Sequence, residues 1–262
     1  MNYFVEGLQG SGKSTLVRAL SERFRDHTAL REGDYSPVEL AWCAYLDEDA
    51  YRDVLEQYPG LRPQIEENTV AEGGRRVVCY TKVKTDDPAF YRELEQYEIY
   101  NGRMPDEEFR RTVLRRFAAW DGDGMIFECS LFQNIVEDMI LFRQASDEEI
   151  LAFYRQVRDA LAGKRLHIVY LETADIPGSI GVVRRERVDD RGNEAWFSML
   201  CGFFDASPWA AARGLRGEAA LMAHLAHRQA LELRLCREVF PGFVTVLRSK
   251  GYTDAELDTL PV

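Results

Sequence analysis

The sequence lacks the features that would suit a membrane, a secretory pathway or a nucleic-acid surface. No stretch of its 262 residues approaches the ~20 apolar residues that span a bilayer, and no basic segment followed by an apolar one opens the chain. Acidic residues outnumber basic ones by 44 to 33, and the net charge of −11 disfavours contact with nucleic-acid phosphates or an anionic membrane. We therefore expect no nucleic-acid partner, no membrane partner and a cytoplasmic location.

Cysteine and histidine are scarce as well. The five cysteines are odd in number, widely spread and free of any C-x-x-C pair, so neither a disulfide framework nor a zinc ribbon is indicated. His224 and His227 lie three residues apart in a predicted helix, but no further ligands accompany them. These absences exclude several classes of protein without indicating a function.

The amino-terminal residues carry the strongest positive signal. Residues 2–6 are apolar, aromatic or β-branched over most of their length, which predicts a buried strand of a parallel sheet. Residues 16–24 place apolar side chains at helical spacing. Between them lies the pattern G-x-x-x-x-G-K-S, which is the phosphate-binding loop when it joins a strand to a helix, as Gly7-Leu8-Gln9-Gly10-Ser11-Gly12-Lys13-Ser14-Thr15 does here.

The residue types of this loop match the chemistry of holding a nucleoside triphosphate. Glycines let the backbone approach phosphate closely, and successive N–H groups with the start of a helix then face one anion. Lys13 can reach the β- and γ-phosphates, and the Ser14 hydroxyl can ligate Mg²⁺. The predicted nucleotide-binding residues are Gly7, Gly10, Ser11, Gly12, Lys13, Ser14 and Thr15.

The remaining pattern predicts an α/β fold, a P-loop NTPase three-layer sandwich with a five-stranded parallel sheet and helices on both faces. We interpret residues 1–262 as a single domain with a mainly helical insertion at 36–120 and a lid region at 181–215. Within the insertion we expect helices over 38–58 and 63–72 and a strand over 76–84. The sheet strands are expected at about 2–6, 28–31, 125–129, 166–171 and 243–247.

Two acidic residues follow predicted strands, where ligands of open α/β sheets bind. Glu128 closes an apolar strand, the Walker B position at which an acid holds Mg²⁺ directly or through water. Asp34 follows the second strand and could accept the proton of a hydroxyl acceptor. A turn aspartate would have the same local sequence, and Glu32 is an alternative base.

Arginines are concentrated in residues 181–191. Arg184, Arg187 and Arg191 are spaced three and four residues apart, so a helix would place them on one face. Because the guanidinium fork makes bidentate contacts with phosphate, we expect Arg184 and Arg187 to act on the transferring phosphoryl group and Arg191 to contact the nucleotide. A solvated helix face paired with neighbouring acids is the alternative interpretation.

Taken together, these motifs resemble the P-loop kinases of small molecules, in particular nucleoside and nucleotide kinases and chloramphenicol phosphotransferase-like kinases. Glu128-Cys129-Ser130 is similar to the E-R-S motif of deoxynucleoside kinases, with Cys129 in place of the arginine, and residues 184–191 are similar to their arginine-rich lid. The resemblance implies the core fold across about residues 1–35 and 120–250. No motif of the insertion matches these families.

We therefore predict an ATP- and Mg²⁺-dependent phosphotransferase acting on a hydroxyl of a small molecule, nucleoside-like or antibiotic-like. ATP is preferred over GTP because no N/T-K-x-D guanine signature is present. Residues 32–120 carry 19 acidic and 12 basic side chains and many aromatic ones, which would suit a cationic or sugar-like acceptor or form the core of the insertion. The oligomeric state stays open, with a homodimer as one option.

Two other functions fit the same motifs. One is a nucleotide-dependent switch or regulatory ATPase that has no small-molecule acceptor. The other is a nucleotide kinase, in which a second phosphate would be bound by basic residues of the insertion, namely Arg75, Arg76, Arg110, Arg111, Arg115 and Arg116.

Overall fold

The computed structural model describes residues 1–189 and 192–262, which divide into two compact units. One unit comprises Met1–Ala29 and Asp121–Val262, and the other comprises Leu30–Trp120. Across the part of the chain that the structure describes, none of the helices combines the length and apolar character needed to cross a membrane.

The elements are numbered here in chain order. The first half of the chain contains β1 (Asn2–Gly7), α1 (Lys13–Arg23), β2 (Thr28–Leu30), β3 (Ala44–Leu46), α2 (Glu48–Gln57), α3 (Arg62–Glu67), β4 (Thr69–Glu72), β5 (Arg75–Val78), α4 (Pro88–Glu95), α5 (Asp106–Ala119) and β6 (Met125–Glu128). The second half contains α6 (Gln133–Leu141), α7 (Asp147–Ala160), β7 (Leu166–Glu172), α8 (Ile176–Glu186), α9 (Ala195–Ala206), α10 (Pro208–Arg213), α11 (Gly217–Arg234), β8 (Val244–Arg248) and α12 (Asp254–Leu257).

A five-stranded parallel sheet in the order β2-β6-β1-β7-β8 organises the first unit, which confirms the predicted α/β fold class. The central strand β1 is flanked by β6, with Val5 opposite Glu128, and by β7, with Gly7 opposite Leu171. Because parallel strands end at the same edge, the loops after β1, β6, β7 and β8 meet there. This edge carries the glycine-rich loop after β1, which is the predicted phosphate loop.

Both faces of this sheet are covered. Tyr3 and Val5 pack with Leu16 and Leu20 of α1 in one apolar cluster. Phe4, which lies between Tyr3 and Val5 in β1, stacks on Phe127 with ring centroids 4.7 Å apart. Because successive side chains of a strand point to opposite faces, β1 is buried on both sides and reads as a continuous apolar run. The two-sided cover explains why the short first strand could be recognised from its composition.

The second unit contains a three-stranded antiparallel sheet in the order β3-β5-β4, in addition to its helices. This sheet was not predicted. Gly73 and Gly74 both have positive φ, 53° and 82°, and connect β4 to β5 as a two-residue hairpin turn. The helix predicted over 63–72 is wrong beyond Glu67, since β4 follows, and the helix predicted over 38–58 is wrong before Glu48.

Aromatic residues of the second unit mostly build its interior. Tyr51, Tyr80 and Phe90 are buried in one apolar cluster with Leu94, and Tyr58 packs at its margin. The Tyr80 hydroxyl also donates to the buried Glu98 carboxylate at 2.5 Å. The aromatic enrichment of the insertion is therefore explained largely by its own core.

Candidate functional site

The phosphate loop joins β1 to α1 and is shaped by glycines. Gly7, Gly10 and Gly12 have φ values of 140°, 76° and 97°, a range that side chains disfavour. A Cβ at Gly10 would lie 2.5 Å from Val183 Cγ2, and one at Gly7 would lie 2.7 Å from the Leu171 carbonyl oxygen. The loop therefore fits against α8 and β7 only with glycine at these two positions.

Two side chains of the loop lie inside it. The Lys13 ammonium donates to the carbonyl oxygens of Gly7 and Leu8 at 2.9 and 2.8 Å, and its side chain is buried. The Ser11 hydroxyl is fully buried and is among the polar atoms of the described residues that have no hydrogen-bond partner. An ammonium and a hydroxyl beside the start of α1 fit an anion, because both can donate to phosphate oxygens.

Ser14 at the start of α1 meets Glu128 at the end of β6. The Ser14 hydroxyl donates to a Glu128 carboxylate oxygen at 2.5 Å. Ser14 is exposed at the start of α1 and Glu128 is largely buried at the end of β6. These oxygen ligands fit Mg²⁺, which is usually held by one or two protein groups together with substrate phosphates and water. Thr15, the last predicted loop residue, is exposed in the first turn of α1.

A buried carboxylate fixes the segment after Glu128. Glu6, the penultimate residue of β1, accepts hydrogen bonds from the Leu131 and Gln133 amides at 2.7 and 3.3 Å. Burial raises the pKa of Glu6 to about 7, although these amides and Lys13 act in the opposite direction. Glu6 therefore ties the strand that carries the phosphate loop to the segment that carries Glu128. Sequence reasoning missed it because it was counted as part of an apolar strand.

The predicted lid, residues 181–215, begins within α8, and this helix touches the loop directly. The Ser179 hydroxyl donates to the Gly10 carbonyl oxygen at 3.1 Å, and Val183 packs against Gly10 one turn later. The end of α8 carries Arg184, whose guanidinium pairs with Glu194 and Glu218 at 2.6 and 2.9 Å and lies 4.0 Å from the Phe197 ring centroid.

The other two lid arginines are Arg187 and Arg191. The Arg187 guanidinium lies 5.0 Å from the ring centroid of Trp196. Arg191 lies outside the described residues. Arg184 therefore has acidic and aromatic partners and Arg187 an aromatic one, and their action on a phosphoryl group stays a prediction.

Asp34 belongs to the second unit, in the turn after β2. One of its carboxylate oxygens pairs with the Lys82 ammonium at 2.5 Å and the other accepts the Arg31 amide at 2.8 Å. Pairing with Asp34 raises the pKa of Lys82. The alternative base Glu32 accepts the Trp42 indole N–H at 3.0 Å. Asp34 is thus a turn residue with a cationic partner, and its role as base stays a prediction.

A second buried carboxylate, Glu39, makes the stability of the chain depend on pH. It accepts the Ala41 amide at 2.6 Å, and burial raises its pKa from 4.5 to about 8. Because the folded state binds the proton more tightly than the unfolded state, stability falls as pH rises from about 4.5 to 8 and then levels off.

Glu39→Gln is therefore expected to leave stability near pH 5 almost unchanged and to raise it by about 2–4 kcal/mol near pH 9. Denaturant unfolding at both pH values measures the difference. Glu56→Gln, at an exposed position of α2, is the control and should not change the pH dependence. If the free energy of unfolding changed with pH in the same way in wild type and Glu39→Gln, the raised pKa assigned to Glu39 would be contradicted.

Three side chains that touch the loop were not found from the sequence. Besides Ser179, the Ser249 hydroxyl donates to the Ser11 carbonyl oxygen at 2.7 Å. Arg228 of α11 donates to the Gln9 side-chain oxygen at 2.6 Å. Ser249 directly follows β8, so the rule that ligand sites gather at strand ends could have indicated it. No sequence signal marked Arg228.

The sequence matches no protein-family model and no curated protein. Among solved structures, the chain is similar to a deoxyadenosine kinase from M. mycoides whose structure contains bound dATP. That alignment covers 98% of this chain and 96% of the other, at 14% identity and a TM-score of 0.40. The site assignments therefore depend on the geometry described above.

Proposed function

We propose that this protein is an ATP- and Mg²⁺-dependent phosphotransferase that moves the γ-phosphoryl group of ATP to a hydroxyl of a small molecule. The contact between the Ser14 hydroxyl and the Glu128 carboxylate, 2.5 Å, is the observation that carries the proposal. It brings a loop serine and a strand-end acid together beside a loop that encloses a lysine ammonium. A Gly-rich turn without this function would need neither group at that place.

Each group has a role in the proposed reaction. Lys13 and the loop amides bind the phosphates, and Ser14 with Glu128 would hold Mg²⁺, which neutralises phosphate charge when bound. Asp34 accepts the hydroxyl proton of the acceptor as the new P–O bond forms and the bond to the leaving ADP oxygen breaks. Arg184 and Arg187, with Arg191, stabilise the charge of the transferring group.

Binding would exchange contacts that already exist. Lys13 would replace two loop carbonyls by phosphate oxygens, which are stronger acceptors because they are charged. Arg184 would exchange the carboxylates of Glu194 and Glu218 for phosphoryl oxygens. A lysine held by backbone carbonyls and an arginine held by partly exposed carboxylates can exchange these partners for phosphate oxygens.

The basic residues of the second unit favour an acceptor without phosphate. A nucleotide acceptor would need arginines to bind its own phosphate, and four of the six arginines considered for that role pair with acids of the protein instead. These pairs are Arg75 with Glu108, Arg76 with Glu48, Arg110 with Asp106, and Arg116 with Glu72. We therefore place nucleosides and hydroxylated antibiotics ahead of nucleotides as candidates.

A screen for acceptors tests the proposal. The full chain is incubated with Mg²⁺ and ATP and with nucleosides, nucleoside monophosphates, aminoglycosides or peptide antibiotics, and products are analysed by mass spectrometry for a gain of one phosphoryl group. A phosphorylated hydroxyl acceptor is expected. ATP hydrolysis that never yields a phosphorylated product would instead identify a switch or regulatory ATPase, and a phosphorylated monophosphate would identify a nucleotide kinase.

A further inference from the structure

A completely buried arginine lies beneath the phosphate loop. Arg228, in the middle of α11, has no exposed surface. Its guanidinium donates to Glu137 of α6 at 2.9 Å and to the Gln9 side chain at 2.6 Å, and it lies 3.3 Å from a carboxylate oxygen of Glu232. One side chain thus connects α11, α6 and the loop.

Burial of this charge is compensated by acids that are themselves buried. Burial favours loss of the Arg228 proton, but Glu137 and Glu232 outweigh it and hold the pKa of Arg228 above its usual range. Burial alone would raise the pKa of Glu137, but Arg228 and His224 outweigh it and lower that pKa to about 2. The His224 ring lies 2.9 Å from Glu137, and Tyr170 donates to Glu232 at 2.7 Å. The guanidinium is therefore held rigidly from several sides.

Arg228 completes a set of contacts to three consecutive loop residues. Gln9 is held through its side chain by Arg228, Gly10 through its carbonyl by Ser179, and Ser11 through its carbonyl by Ser249. The loop needs such contacts because its glycines restrict the backbone little. Of the three side chains that hold the loop, Arg228 is the charged one. It is a buried side chain rather than a flexible one at the surface.

The next residue of α11 holds the neighbouring strand end. The Gln229 side chain accepts the Thr173 amide at 2.8 Å and donates to the Thr173 carbonyl oxygen at 3.0 Å, just beyond β7. β7 pairs with β1 as far as Gly7, so both strands end at the same edge of the sheet. Arg228 holds the segment that follows β1, and Gln229 holds the segment that follows β7.

We propose that Arg228 is a positioning residue, which holds Gln9 and thereby keeps the phosphate loop in the conformation that binds the nucleoside triphosphate. The inference rests on the proposed function only in taking this loop as the nucleotide site. It requires neither the identity of the acceptor nor the transfer step. Its consequence is measured in nucleotide affinity rather than in turnover.

A double-mutant cycle separates positioning from stability. Gln9→Met keeps the length of the side chain and removes the oxygen that accepts from Arg228. Arg228→Lys keeps a positive charge for Glu137 and Glu232 but lacks the guanidinium fork that also reaches Gln9. Arg234→Lys, the same substitution at the exposed end of α11, where Arg234 pairs with Glu148 and Glu238, is the matched control.

The dissociation constant of Mg²⁺-ATP is measured by calorimetry for each full-length variant, together with its melting temperature. We expect Gln9→Met and Arg228→Lys each to weaken binding by about 5–20-fold, and the double variant to be no weaker than the worse single one, because both remove the same contact. Arg234→Lys should bind like wild type. If Arg228→Lys fails to fold, Gln9→Met alone still measures the effect.

Unchanged affinity in Gln9→Met, or a lower melting temperature in Arg228→Lys without weaker binding, would show that the network is only structural and would overturn the inference. A double variant whose loss of Mg²⁺-ATP affinity equals the product of the two single losses would also overturn it. Wild-type binding of Mg²⁺-ATP without transfer to any acceptor would defeat the proposed function and leave the inference standing. Failure of wild type to bind Mg²⁺-ATP or Mg²⁺-GTP would overturn both.

Discussion

Lys13→Met is expected to lower phosphoryl transfer by about 10²–10³-fold and to weaken ATP binding. The lysine ammonium is buried in the phosphate loop, so its charge acts on the phosphates with little screening by water. Methionine fills similar space without a charge or a donor. Initial rates with the acceptor identified by the screen, and calorimetric titration with Mg²⁺-ATP, measure the two effects.

Lys84→Met is the control for this experiment, because Lys84 is exposed in the second unit. It should retain the rate and affinity of wild type. Lys13 also holds the carbonyl oxygens of Gly7 and Leu8, so melting temperatures must be compared to separate loss of charge from a disturbed loop. A folded Lys13→Met variant that still binds ATP and transfers phosphate at the wild-type rate would refute the assignment of the loop.

The features predicted correctly depend on residues close together in sequence. The strand–loop–helix arrangement of residues 2–23 could be predicted because strand, glycines, lysine and helix are contiguous, and the structure has β1 ending at Gly7 and α1 starting at Lys13. Glu128 could be placed near the loop because parallel strands end at one edge, and β6 does lie next to β1. General rules about strand ends thus bring together residues more than a hundred positions apart.

The missed features depend on partners that no local pattern encodes. An arginine in a predicted helix, such as Arg228, is expected at the surface. Only the folded structure shows that Glu137, Glu232 and Gln9 surround it. Similarly, the segment 38–46 has apolar residues compatible with a helix, but β3 forms because β5 is available to pair with it. Tertiary pairing overrode local propensity in that segment.

The lid arginines illustrate the same limit. Their spacing along the chain predicted a shared helix face, but α8 ends at Glu186, so Arg187 lies just beyond it, and Arg191 lies outside the described residues. The sequence could not show that Glu194 and Glu218, ten and 34 residues beyond Arg184, would pair with it. These carboxylates neutralise Arg184 in the structure described here, so its contact with phosphate requires an exchange of partners.

Asp34→Asn is expected to lower the rate of transfer by about 10²–10⁴-fold while the dissociation constant of ATP stays within about twofold of the wild-type value. Asparagine can still accept the Arg31 amide, so the turn is kept, but its amide cannot take up the acceptor proton. Single-turnover rates with saturating ATP measure the chemical step without a contribution from binding.

Two further variants determine which carboxylate is the base. Glu32→Gln, the matched change at the alternative base, should keep most of the rate if Asp34 is the base, whereas the opposite pattern would move the role to Glu32. Lys82→Met removes the cation that pairs with Asp34 at 2.5 Å, so it should lower the transfer rate if Asp34 is the base, because the carboxylate loses the contact that orients it. Equal transfer rates in wild type, Asp34→Asn and Glu32→Gln would exclude both residues as the base.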